Sequence, residues 1–124
     1  MVFGWIKSWF ERTRSLEVRA KADVRFLGEQ DGIPERDLKN HLIPKLRTSH
    51  VRAAYLVRVR FADNLMEEVA LCISGPEDRD LVFRIASVFK TLFSEENFMN
   101  VLFLTDAEET EIENVANPFY SSEG

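Results

Sequence analysis

Between Val51 and Ile73 the chain alternates in a way that few folds can accommodate. Tyr55, Val57, Val59 and Phe61 fall on one face of an extended segment, with Leu56, Arg58 and Arg60 on the other. After a short connection, Val69, Leu71 and Ile73 share one face, and Glu68, Ala70 and Cys72 share the opposite one. A period of two on both sides of a tight connection predicts an antiparallel β-hairpin. Opposing Val59 with Val69 and Val57 with Leu71 leaves Asp63 to Leu65 for the turn and sets Arg60 across from Glu68.

Around this hairpin the periodicity changes to that of helices. Pro34 opens one helix, with Glu35 and Asp37 near its positive end and Leu38, Leu42 and Leu46 as its buried stripe. Pro44 predicts a kink, or an end near Ile43 followed by a short extra turn. Ser74-Gly75-Pro76 closes the second hairpin strand. A further helix carries Leu81, Ile85, Val88, Phe89 and Leu92, widened by Val82 and Phe93, and stops around Ser94. A first strand is expected at about Ala22 to Leu27, followed by a turn from Gly28 to Gly32. A late strand is expected over Val101 to Leu104 and a last helix to about Val115. That helix has two overlapping capping boxes, Thr105 with Glu108 or Asp106 with Glu109.

The resulting order, β-α-β-β-α-β-α, predicts an α+β domain over residues 22–124. Its sheet is mixed, mainly antiparallel and four-stranded, with helices packed on it, and ferredoxin-like topology suits the order best. Ahead of it, residues 1–21 form an amphipathic helix and a basic connector. Val2, Phe3, Trp5, Ile6, Trp9 and Phe10 share a sector of roughly 160° on a helical wheel. That aromatic face can pack on its own domain, meet a partner or a second copy, or touch a membrane surface. The terminal Phe119 and Tyr120 are expected to plug the sheet, and exposed aromatics there could serve a partner.

Charge narrows the partners. The first 25 residues carry a net +3 and the remainder −8, within a chain of net −5. An acidic body repels phosphate backbones, so nucleic acid is not an expected partner. No apolar run reaches the roughly 18 residues that span a bilayer. Lys7, Glu11 and Arg12 interrupt the start where a secretory signal would be apolar or small. A single cysteine, Cys72, fits a reducing cytoplasm.

Chemistry-bearing patterns are sparse. His41 and His50 lack converging partners for a metal, and Cys72 sits mid-strand as a small filler. No phosphate-cradling or nucleophile-elbow glycine pattern occurs, so neither metal nor cofactor is expected. Glu108, Glu109, Glu111 and Glu113 suit a solvated helix start. Arg58 and Arg60 could bind an anion on an open sheet face, although pairing with Glu67 or Glu68 accounts for them.

Several short motifs nevertheless occur in a familiar order. Phe26-Leu27-Gly28-Glu29, then Pro34 with Leu38, Leu42 and Leu46, then Val51-Arg52-Ala53-Ala54-Tyr55-Leu56, and finally Pro118-Phe119-Tyr120 resemble the C-terminal domain of the SseB family, named for enhanced serine sensitivity. The resemblance covers about Asp23 to Tyr120. Relatives carry a further N-terminal domain where this chain has its aromatic segment, and their helix continues where Pro44 stands here. The resemblance implies a cytoplasmic accessory protein with no established catalytic residues. Together these features predict a non-enzymatic interaction domain that meets a protein partner or a second copy of itself through Phe3, Trp5, Trp9, Phe10, Phe119 and Tyr120. The alternatives are a regulatory module binding an amino-acid-type ligand, and a membrane-associated adaptor using the N-terminal helix.

Overall fold

The computed structural model describes residues 24–61, 66–93 and 99–122. The expected N-terminal helix, with Phe3, Trp5, Trp9 and Phe10, and the expected hairpin turn at 63–65 lie outside them. The described elements are β1 (Val24–Glu29), α1 (Ile33–Arg47), β2 (Ala53–Phe61), β3 (Glu68–Ser74), α2 (Arg79–Leu92), β4 (Asn100–Phe103), α3 (Asp106–Glu113) and the two-residue β5 (Tyr120–Ser121). The α+β class and the expected order of elements are present.

Strand order departs from the ferredoxin-like expectation. In that plan the first strand lies inside the sheet, between the third and the fourth. Here the order is β1-β2-β3-β4, with β5 pairing β2 alongside β1. The β1–β2 and β2–β3 pairs are antiparallel, and β3–β4 is parallel. The reason is visible in the strands themselves. β2 and β3 are apolar on both faces through their middles, as central strands require. β1 instead exposes Arg25 and Glu29 and carries a bulge between Phe26 and Gly28. Charges and bulges belong on edges.

Hairpin register is also shifted by one residue from expectation. Val59 faces Glu68, Val57 faces Ala70, Tyr55 faces Cys72 and Ala54 faces Ile73. Hydrophobicity alone does not distinguish the two registers, because both strands are apolar on both sides. Volume does, since the observed register sets Tyr55 and Val57 against the small Cys72 and Ala70, and Ile73 against Ala54. Arg60 therefore does not face Glu68, whose carboxylate accepts from Asn100 Nδ2 at 2.7 Å. Glu67 takes both arginines instead, at 3.5 Å from Arg58 and 3.7 Å from Arg60. Pairing with a hairpin glutamate is the outcome, with the neighbouring residue as the partner.

Each face of the sheet carries a core. On one face, Ala54, Leu56, Leu71, Ile73 and Val101 pack under Leu38, Leu42 and Leu46 of α1 and Leu81, Val82, Ile85, Ala86 and Phe89 of α2. On the other, Phe26, Tyr55, Val57, Val59, Phe61, Ala70, Cys72 and Leu102 cluster with Ile112 of α3 and Ala116. The apolar run Val101 to Leu104 is explained by this division, because Val101 serves one core and Leu102 the other. Helix α1 runs through Pro44 to Arg47 instead of ending at Ile43. Leu42 and Leu46, both fully buried, hold the turns on either side of the proline against the sheet. Asp78 caps α2, its side chain accepting from the Leu81 amide at 3.1 Å.

Candidate functional site

The last residues of the chain return to the sheet and build a cleft with α3. Phe119 N–H donates to the Ala54 carbonyl, and Ser122 N–H to that of Arg52, both at 2.9 Å. Asn117 N–H donates to Glu29 Oε2, also at 2.9 Å, which ties the preceding turn to β1. Phe119 and Tyr120 pack against the helix-bearing core, and Lys39 Nζ lies 5.9 Å from the centre of the Phe119 ring. The expected plug is therefore present. These two aromatics are engaged within the fold.

Between this strap and α3 lies an open cleft of about 420 Å³. Its lining includes Arg52, Tyr55, Glu109, Glu113 and Ala116. Each is placed by a local cause. Arg52 precedes β2, where its N–H donates to Ser74 O at 2.7 Å and its Nη2 to Ser74 Oγ at 3.1 Å. Glu109 and Glu113 are four residues apart and so share one face of α3. That helix is started by a full capping box. Glu108 N–H donates to Thr105 Oγ1 at 3.2 Å, and Thr105 N–H to Glu108 Oε1 at 2.9 Å. Of the two expected boxes, this is the one formed. Ile112, fully buried, anchors α3 to the sheet.

The cleft holds both signs of charge. Arg52 Nη2 forms an ion pair with Glu109 Oε1 at 3.9 Å, longer than a hydrogen bond. Glu113 has no cation within ion-pair reach among the described residues. Tyr55, only 2% exposed, is held protonated above the usual phenol range, first by burial and then by the negative charges of Glu113 and Glu109. Across the sheet pairing from it, burial and then Glu108 push the Cys72 thiol up. A buried, protonated thiol is a filler and no nucleophile.

The remaining expected residues sit elsewhere. His41 lies on the exposed surface of α1, its Nδ1 2.8 Å from the Asp37 carbonyl, and His50 is exposed. Among the described residues no group of His, Cys, Asp and Glu is arranged to hold a metal ion, and no helix is long and apolar enough to cross a membrane. Sequence reasoning assigned Glu109 and Glu113 to a solvated helix start and passed over Arg52 and Tyr55. The spacing of the two acids and the phenol on an otherwise apolar strand face were the available signals. Their convergence with Arg52 depends on the long return of β5 to β2.

Comparison with protein-family models, curated proteins and solved structures gives no match for this chain.

Proposed function

We propose that the chain is a non-enzymatic accessory domain of the SseB-like type, working by binding in a reducing cytoplasm, and that its cleft takes a small zwitterion of the amino-acid class. The observation that carries the reading is the mixed charge of the cleft lining, where Arg52 forms an ion pair with Glu109 and Glu113 has no cation within ion-pair reach among the described residues. Arg52 offers a planar guanidinium with five N–H donors, of which Nη2 serves Ser74 and the ion pair with Glu109, and a ligand carboxylate fits the remaining donors. Glu109 and Glu113 repel each other at i,i+4 spacing, and an ammonium group between them relieves that repulsion. The Tyr55 phenol adds a neutral donor and acceptor at the base.

Thermal shift with free amino acids at millimolar concentration tests this reading. Each active amino acid is compared with its N-acetyl and methyl-ester forms, which remove one charge apiece. Occupancy at 100 times Kd stabilises a fold by about 2.7 kcal/mol, a readable rise in Tm. The expected result is a shift with the zwitterion that both derivatives lose. Equal shifts with the derivatives, or none with any amino acid, count against it.

The partner-binding reading rests on the aromatic segment Phe3, Trp5, Trp9 and Phe10, because Phe119 and Tyr120 are already packed within the fold. Light scattering of the native chain and of Trp5→Ala/Trp9→Ala reads self-association directly. An unchanged monomer mass in both removes the dimer.

A further inference from the structure

The face of the sheet that carries α1 and α2 changes character along β2. Up to Leu56 it is apolar and covered; beyond Leu56 it is cationic. Arg25 is the register partner of Arg60, and Arg58 lies two residues along the same strand, so all three side chains project from this face. Like charges placed directly opposite destabilise a sheet. Among the described residues, the carboxylate that pairs with this group is that of Glu67, shared by Arg58 and Arg60. Arg25 is exposed and has no carboxylate within ion-pair reach among the described residues. The patch is not a by-product of overall charge, because the chain is net −5.

The backbone also makes room for it. A Cβ on Gly28 would stand 2.9 Å from Arg58 Nη2, so the guanidinium lies directly over the glycine next to the β1 bulge. Arg58 and Arg60 are only 42% and 44% exposed.

We propose that this cationic half of the sheet face, built by Arg25, Arg58 and Arg60 around Glu67, docks an extended acidic segment of a partner protein. The charge is complementary, and so is the pitch. Alternate residues of an extended chain recur about every 6.6 Å, the same rise that separates Arg58 from Arg60. A Glu-x-Glu segment therefore presents successive carboxylates in step with the two arginines, while Arg25 widens the patch across the strands. An arginine fork accepts a carboxylate through two parallel hydrogen bonds. A long nucleic acid is disfavoured, because the rest of the molecule is acidic and repels it. The site is independent of the cleft, which lies on the opposite side of the sheet with α3.

Fluorescence anisotropy on the full chain tests the proposal, with a labelled peptide of alternating Glu and Thr as the probe. A Gln/Thr peptide and a short oligothymidylate serve as comparisons. Arg25→Gln/Arg60→Gln should weaken binding of the Glu peptide roughly tenfold, and added salt should weaken it further. Glu67→Gln removes the competing carboxylate and should tighten binding several-fold. Its side chain is half-exposed, so the fold survives the change. Gly28→Ala displaces the Arg58 tip without altering charge and should weaken binding. Failure of the native chain to prefer the Glu over the Gln peptide overturns the proposal. So does equal affinity of the native chain and Glu67→Gln, or tighter binding of oligothymidylate than of the Glu peptide.

Discussion

Tyr55 belongs to the core and to the cleft at once. Its ring shares a cluster with Val57, Cys72 and Ile112, while the residue lines the hollow between Glu109 and Arg52. The pair of Tyr55 and Cys72 gives the fold a pH dependence whose sign follows from their shifts. Both groups keep their protons in the folded chain above their ordinary values of 10.0 and 9.0. In the unfolded chain the thiol and then the phenol ionise at those ordinary values. Above about pH 9 the unfolded state therefore binds fewer protons, and stability falls as pH rises. Urea unfolding followed from about pH 8 to about pH 10.5 should show a falling midpoint, with Cys72→Ala flattening the first part of the decline. The same slope in that variant and the native chain would contradict the assignment. Arg58 and Gly28 make a second residue-scale pair, one legible in the sequence only as a glycine near a strand end. The space left by the missing Cβ is taken by a guanidinium crossing from the neighbouring strand, which no local pattern encodes.

At the scale of elements, the helices follow their stripes and caps closely. Leu38, Leu42 and Leu46 are buried as their spacing predicts, and so are Leu81, Ile85 and Phe89. Pro44 is the exception, because tertiary packing of Leu42 and Leu46 outweighs one missing backbone hydrogen bond and a clash in the preceding turn. The local penalty is still there. Pro44→Ala should restore the hydrogen bond to the Asn40 carbonyl and stabilise the chain by about 1–3 kcal/mol, read as a higher urea midpoint. No gain would show that the helix relieves the proline in some other way. Helix α3 depends more on its start, having only Ile112 buried among its eight residues. Thr105→Ala should cost about 1 kcal/mol and fray the helix that positions Glu109 and Glu113. Amide exchange at 108–110 reports that fraying, and unchanged protection there would deny the capping box its role. The hairpin was legible as a hairpin, and its register was not. Two strands apolar on both faces leave register to the fit of side-chain volumes, which alternation does not express.

For the whole molecule, the sequence order of elements was legible and the spatial order of strands was not. Element order is shared by several sheets, and what separates them is which strands tolerate an edge. Arg25, Glu29 and the bulge before Gly28 carried that information, spread over one short strand. The two-residue β5 has too little pattern to be seen as a strand. Yet its pairing with Ala53 and Ala54 extends the sheet beside β1, and Ser121 lines the cleft. Phe119→Ala should therefore lower stability by about 1–3 kcal/mol, since the ring is part-buried, and should loosen the cleft with it. Denaturant unfolding gives the first effect, and loss of amino-acid-dependent stabilisation gives the second. A variant that loses stability but keeps its ligand response would separate the strap from the site.

The central proposal is that Arg52, Glu109 and Glu113 in this cleft select a zwitterion. The most direct measurement is an amide-resolved NMR titration of the full chain with an amino acid active in the thermal shift. The account predicts saturable shifts confined to Arg52, Ala53, Glu109, Glu113 and Ser122, lost in Glu113→Gln. Shifts centred elsewhere, or shifts at these amides that survive Glu113→Gln unchanged, would contradict it.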